Sequence, residues 1–344
     1  MSPTIKRRLV LTAGGTVLVN AYLPSVRAQT EPNSPASASN TGLSAEVALN
    51  DEPDRGYYAN YDVNNFGPPQ ARDAKRSFMF PKDVESRGAL AYGIDVSHHC
   101  SEVPWPILKA HGVNYVYIKA SQSRNAHDPR FEEFWAAAPT SGIPWGAYHF
   151  LTAGVSGKDQ GEYFVKRLGQ VGGLTKNLLQ PVIDLEWDIY GPDFKRVVIS
   201  TKPSGPVYKD YWETVSSQSI VDTVNSCVDL IRAAYPTLDI RPIIYTNASW
   251  WGDRIPVGTT FPHCTVWISD YRKASYAKKS PNSVSGHAYY LWQFTDGAMI
   301  DTGSKQFGPF DANKLVFGGI NHILIGEVTG SSQAIPPATH DSQT

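Results

Sequence analysis

The nine residues Gln180-Pro-Val-Ile-Asp-Leu-Glu-Trp-Asp188 place two acids two positions apart inside an apolar run. In an extended strand, residues i and i+2 share a face. The spacing therefore predicts a buried strand over 180–187 on which Asp184 and Glu186 point one way, while Ile183, Leu185 and Trp187 pack against an outer layer. Two carboxylates on one partly buried face are costly, because burial and mutual repulsion push the pKa of one upward while the other stays ionised. General acid and nucleophile chemistry needs that division. The competing reading is structural, with the Asp capping a loop and the Glu in a surface ion pair.

Working outward, residues 91–319 carry a regular alternation. Strands are predicted over 91–97, 113–121, 144–151, 241–247, 265–271 and 289–295, with a short final one around 310–317. Helices are predicted over 104–111, 129–138, 156–168 and 219–235, the last ended by Pro236. Strands alternating with helices of this size imply a parallel sheet with crossover helices. Eight such strands over ~230 residues predict closure into an α/β fold, an irregular (β/α) TIM-like barrel with fewer helices in its second half. Chemistry in such barrels sits at the C-terminal strand ends. Asp95, Lys119, Ser121, Tyr148, His149, Asp184, Glu186, Tyr245, Asn247, Trp267, Asp270 and Gln293 fall there. Acids, amides and aromatic rings on one rim suit a sugar, which offers hydroxyls to carboxylates and an apolar face to rings.

The whole-chain numbers narrow the function class. The chain has 344 residues, 41% of them apolar, which is enough for a substantial core. With 31 Lys and Arg against 32 Asp and Glu, it has no basic excess of the kind that marks a nucleic-acid binder. Residues 1–28 read as an export signal: Lys6, Arg7 and Arg8, an apolar stretch, then Val26-Arg27-Ala28 as a cleavage site. The adjacent arginines fit a twin-arginine signal or a general secretory one, so a periplasmic or extracellular location is expected. No later stretch is apolar for long enough to make an integral membrane segment. Residues 29–44 are rich in Ser, Pro and Ala and read as a flexible leader, 45–90 as an extension that wraps the domain, and 320–344 as a largely disordered tail. Cys100, Cys227 and Cys264 form no C-x-x-C pair, so no structural metal site is expected; one disulfide and a free thiol would fit an exported chain. No cofactor motif is present. Oligomeric state is not legible.

The segments Tyr92-Gly-Ile-Asp-Val-Ser-His-His99, Tyr115-Val-Tyr-Ile-Lys-Ala120, Asp128-Pro-Arg-Phe131, Gly142-Ile-Pro-Trp-Gly-Ala-Tyr-His-Phe150 and Pro181-Val-Ile-Asp-Leu-Glu186 together resemble glycoside hydrolase family 25, the Chalaropsis-type lysozymes. Pro242-Ile-Ile-Tyr-Thr-Asn247, Val266-Trp-Ile268, Leu291-Trp-Gln293 and Phe310-Asp-Ala-Asn313 continue the likeness in order. The resemblance implies an irregular α/β barrel that cleaves the β-1,4 bond between N-acetylmuramic acid and N-acetylglucosamine in peptidoglycan glycan strands. It makes Glu186 the general acid, Asp184 the nucleophile or the carboxylate that orients the substrate acetamido group, and Asp95 and Asp311 the further acids. Tyr148, Tyr245, Trp267 and Gln293 match groove positions. Two departures stand out. Cys100-Ser101 replaces a common Gln-Gly, and Gln122 stands where the family usually has a carboxylate.

Two other classes compete with this reading. A metal-dependent polysaccharide deacetylase would use Asp95, His98 and His99, but adjacent histidines on a strand would face opposite ways. A wall-glycan-binding protein with little turnover would keep the groove and lose the chemistry. The insertion at 189–207, directly after the acid pair, is expected to cover the groove or alter which glycan fits.

Overall fold

A computed structural model of the chain describes residues 45–50, 77–87, 91–202, 205–271, 281, 284, 287 and 289–328. The predicted signal and leader, most of the extension, and 329–344 lie outside them. Eight strands form the frame: β1 Ala91–Val96, β2 Val113–Gln122, β3 Trp145–Phe150, β4 Val182–Asp184, β5 Ile243–Asn247, β6 Thr265–Ser269, β7 Tyr289–Asp301 and β8 Gln306–Leu315. Each pairs with the next, and β8 pairs with β1, so the sheet closes. Strands β1 to β7 run parallel. β8 is antiparallel to both neighbours, where a parallel sheet was expected. The cause is the connection: only residues 302–305 separate β7 from β8, closed by Thr302 N donating to Lys305 O at 3.0 Å. A parallel return needs a crossover of a dozen residues or so.

Helices α1 Phe131–Ala137, α2 Gly157–Gln170, α3 Ser217–Ala234 and α4 Ala248–Arg254 cover the outside. Ser156 and Ser216 cap α2 and α3, accepting from the amides of Asp159 and Ser219 at 3.1 and 3.2 Å. The helix predicted over 104–111 is two 3-10 turns, Trp105–Ile107 and Lys109–His111. Pro104 and Pro106 take two backbone donors out of that stretch.

Alternation along the strands sorts side chains into two cores. Ile94, Val116, Ile118, Ile183, Leu185 and Trp187 pack outward with residues of α2 and α3 such as Phe164, Val224 and Val228. Tyr115, Tyr117, Val182, Tyr245, Trp267, Leu291 and Leu315 fill the barrel. Trp267 lies 5.1 Å from Tyr117 and 5.2 Å from Tyr245 between ring centroids. Two strand glycines make room for the rings. A Cβ at Gly93 would fall 2.2 Å from the Tyr115 ring, and one at Gly146 would fall 3.0 Å from Tyr117 Cε1.

Both ends of the described chain add to the barrel. Val47–Ala48 pairs with Ala126–His127, and Ser77–Phe80 pairs with the end of β7, seating the Phe78 ring 5.2 Å from Tyr92 and 5.0 Å from Phe294. At the other end the fold continues past residue 319, where the tail was expected to begin. Gly326–Glu327 pairs with Leu238–Asp239, Ile323 is fully buried, and Gln180 N donates to Ile323 O at 2.8 Å. The Gln180 side chain bridges Asp239 O and Leu324 O, which ties this segment beneath β4. All three cysteines are free and buried. No described helix is long and apolar enough to cross a membrane.

Candidate active site

The strand carrying the acid pair is shorter than expected. β4 ends at Asp184, and Glu186 sits in the segment just beyond it. The chain turns away because Asp188, fully buried, draws the backbone round: its carboxylate accepts from Ala153 N at 2.9 Å, Tyr190 N at 3.1 Å and Gly191 N at 2.8 Å. Leu185 N still donates to Tyr245 O at 2.9 Å, so the strand direction persists through the first residue past β4. Leu185 and Trp187 stay in the outer core. Asp184 and Glu186 are each 8% exposed.

Across the barrel mouth, Asp95 on β1 accepts from Asn313 Nδ2 at 2.8 Å and Gln293 Nε2 at 3.0 Å, both on Oδ2. Gln293 is oriented in turn by the Tyr245 hydroxyl, which donates to its Oε1 at 2.7 Å, and by the Tyr271 hydroxyl on the same oxygen. Asp311 faces Asp95 directly in the β8–β1 register. Burial pushes the Asp95 carboxyl up to about 6, while the bonds from Asn313, Gln293 and Asp311 hold it down.

Asp184 lacks that support. Its Oδ1 has no hydrogen-bond partner. Burial raises its carboxyl to about 8, opposed by the nearby charge of Lys119 and reinforced by Asp95. Glu186 is pushed well above the ordinary carboxylate range, first by burial and then by the negative charges of Asp184 and Asp311. Lys119 is itself buried and points its Nζ to Gln122 Oε1 at 3.1 Å, with the Phe150 ring centroid 5.3 Å away. Its hydrogen-bond partner is an amide rather than a carboxylate.

Seven of the expected site residues thus meet at one rim: Asp95, Asp184, Glu186, Asp311, Tyr148, Tyr245 and Gln293. Tyr148 is half-buried beside them, its hydroxyl pushed far up by burial and by Asp95 and Asp184. Trp267, expected to line the groove, is 2% exposed in the barrel interior and forms part of its packed floor. His149 is in the outer core, bonded to Ser121 Oγ at 2.8 Å, and burial takes its imidazole down to about 3. His98 and His99 lie past β1 with rings 4.0 Å apart, not on opposite strand faces, and His98 Nδ1 is turned to Asp128 Oδ2 at 2.8 Å. Among the described residues, no three His, Cys, Asp or Glu are grouped to hold a metal ion.

Sequence reasoning missed the roles of Asn313, Tyr271 and Lys119. The spacing rule that paired Asp184 with Glu186 also pairs Asp311 with Asn313 on one face of β8. Tyr271 was within the strand predicted over 265–271, on the same alternate face as Trp267, but it lies past the end of β6 at Ser269.

A sequence profile described as Glycosyl hydrolases family 25 matches residues 94–302. The chain belongs to that family. Lysozyme M1 of Streptomyces globisporus is 29% identical over 230 residues, covering 64% of this chain and 66% of that protein, just under two thirds of its length. The N,O-diacetylmuramidase of Chalaropsis sp. is 26% identical over 223 residues, covering 62% of this chain and 92% of the relative. Among solved structures, the bacterial lysozyme from Streptomyces coelicolor superposes with a TM-score of 0.52 at 25% identity, covering 68% of this chain and 94% of that one. Family membership makes the chain a glycoside hydrolase. The barrel with its antiparallel last strand is therefore the frame of a glycosidase site.

Proposed function

We propose that this protein is a muramidase, hydrolysing the β-1,4 bond between N-acetylmuramic acid and N-acetylglucosamine in peptidoglycan. The observation that carries this reading is the unequal surroundings of the two neighbouring acids. After burial, the strongest influence on Asp184 is the Lys119 cation, whereas on Glu186 the negative charges of Asp184 and Asp311 come ahead of that cation. Asp184 is therefore first of the pair to ionise, and its ionisation helps Glu186 keep a proton.

Glycoside cleavage needs that combination. The leaving oxygen takes a proton from a carboxylic acid while positive charge grows at the anomeric carbon beside a carboxylate. Glu186 is the proton donor. Asp184 either attacks the anomeric carbon or orients the substrate acetamido group. Asp95, held by Gln293 and Asn313, fixes the opposite wall of the site with Asp311. Tyr148, Tyr245 and Gln293 contact the sugar. The lysozyme and N,O-diacetylmuramidase names of the relatives support the wall glycan as the substrate.

The proposal includes location and organisation. Residues 1–28 act as an export signal, placing residues 91–319 with their two flanking segments in the periplasm or outside the cell.

Digestion of purified peptidoglycan, with identification of the new reducing sugar, tests the reading. Wild type should release reducing-end muramic acid, and Glu186→Gln should lower the rate about 10²–10⁴-fold. Binding without new reducing ends would instead make this a wall-glycan-binding protein. Equal rates in the two proteins would remove Glu186 from its role.

A further inference from the structure

Between Asp188 and Asp210 the chain leaves the barrel and returns. Val198–Lys202 and Gly205–Tyr208 form an antiparallel two-stranded ribbon that joins no other described strand. An isolated ribbon of this size is marginal in water, so its base matters. There the structure spends two fully buried carboxylates. Asp188 holds the outgoing turn, and Asp210 accepts from Asp188 N and Trp212 N at 3.1 Å each and from Arg254 Nη2 at 3.1 Å. Tyr211 N donates to Asp188 O at 2.8 Å, fastening the returning strand to the outgoing one. Asp188 is two residues from Glu186, which puts the clamp within about 7 Å of it along the chain. The ribbon is fixed to the segment that carries the proton donor.

Its surface is predominantly basic. Between residues 189 and 209 stand Lys195, Arg196, Lys202 and Lys209, against Asp193 as the single acid. Among the described residues no acid pairs with Lys195, Lys202 or Lys209 within ion-pair distance. Arg196 lies over the rings of Tyr190 and Tyr208, 5.4 and 4.9 Å from their centroids, which stiffens the base of the arm. Next to these cations Val198 and Ile199 are each 54% exposed. The chain as a whole is balanced in charge, so this concentration is local.

We propose that this ribbon is a docking arm for the polymeric substrate, with Lys195, Lys202 and Lys209 meeting the carboxylates of the peptidoglycan's stem peptides. The proposal rests on the muramidase reading for the identity of the polymer. Charge complementarity selects the occupant, since the stem peptides place carboxylates along the glycan, and the exposed valine and isoleucine suit their methyl groups. Exposed charges of this kind act over about 8 Å at physiological ionic strength, so they hold a polymer near the cleft without touching the scissile bond.

The test is co-sedimentation of the full chain with purified sacculi stripped of phosphate-bearing polymers, comparing wild type with Lys195→Ser/Lys202→Ser/Lys209→Ser. The variant should bind about tenfold more weakly at low salt. Raising NaCl from about 50 to about 300 mM should weaken wild type much more than the variant. Sacculi whose carboxylates have been amidated should bind both proteins alike. Equal binding to untreated sacculi, or a defect of the same size on amidated sacculi, would overturn the proposal, as would a defect confined to sacculi that keep their phosphate polymers. Because binding is read without cleavage, a wild type that sediments normally yet releases no reducing ends would sink the muramidase reading and leave the docking arm standing. Unchanged thermal unfolding of the variant shows that any loss is not misfolding.

Discussion

Asp95 and Asp184 face one another across the same barrel mouth with 7% and 8% of their surface exposed, yet their surroundings differ. Asp95 accepts two amide hydrogens on one oxygen, and behind one of those amides, that of Gln293, stand two tyrosine hydroxyls. Asp184 has an oxygen with no partner at all. Burial costs a carboxylate its hydration in either case, but only the first recovers hydrogen bonds in exchange. The comparison teaches that equal burial can serve opposite ends. One acid is held still by the fold, and the other keeps a buried oxygen that no group of the fold satisfies.

The sharpest way to break the comparison is to replace each acid by its amide. Asp184→Asn should cut the rate on peptidoglycan roughly a hundredfold or more while raising thermal stability. The sign follows from linkage. A carboxyl at about 8 when folded, against an ordinary 3.8, keeps more protons on the native state between those pH values, so its burial costs stability increasingly as pH rises through that window. Asparagine cannot ionise, and its advantage in melting temperature should therefore grow from about pH 4 to about pH 8. Asp95→Asn should change stability less, because its one amide oxygen can take both donors in the place of Oδ2, and a carboxyl at about 6 confines any gain to between about pH 4 and about pH 6. A smaller fall in rate than at Asp184 is expected. A gain at Asp95→Asn as large as that at Asp184→Asn, and continuing to about pH 8, would erase the distinction.

The smallest effect sharpens it further. Lys119 faces Gln122, Phe150 and His149 as well as Asp184 and Glu186, and it holds the acids down. Lys119→Met should shift the acid limb of the kcat/KM profile upward in pH, since Asp184 must ionise against the other acids without help. Gln122→Glu, which gives the lysine a carboxylate partner, should shift it the same way by less. An unmoved limb in both would mean that Lys119 does not tune the site.

Most of this architecture was legible because two periodicities coincide with two cores. Asp184 with Glu186, Ile183 with Leu185, and the strand-helix alternation of the first half all follow from local spacing. The direction of β8 did not, since it depends on a four-residue connection rather than on the strand itself. Trp267 was misplaced for a related reason: its face on β6 was readable, but depth within the barrel depends on Gly93 and Gly146 admitting Tyr115 and Tyr117 beside it. The support given to Asp95 by Gln293 and Asn313 spans 198 and 218 residues of chain. Only closure of the barrel brings those amides to it.

The closed floor sets a rule for traffic. Among the described residues, Tyr115, Tyr117 and Trp267 fill the interior, and Leu179, Leu315 and Ile323 pack in the same cluster with the segment tied beneath β4, so the barrel is closed below the acids. The ribbon that follows β4 and the β7–β8 hairpin both leave the ring at the same strand-end face as the acids. A glycan lying across that face would be cut internally, and the expected outcome of a digest is wall fragments that shorten by internal cuts rather than from an end.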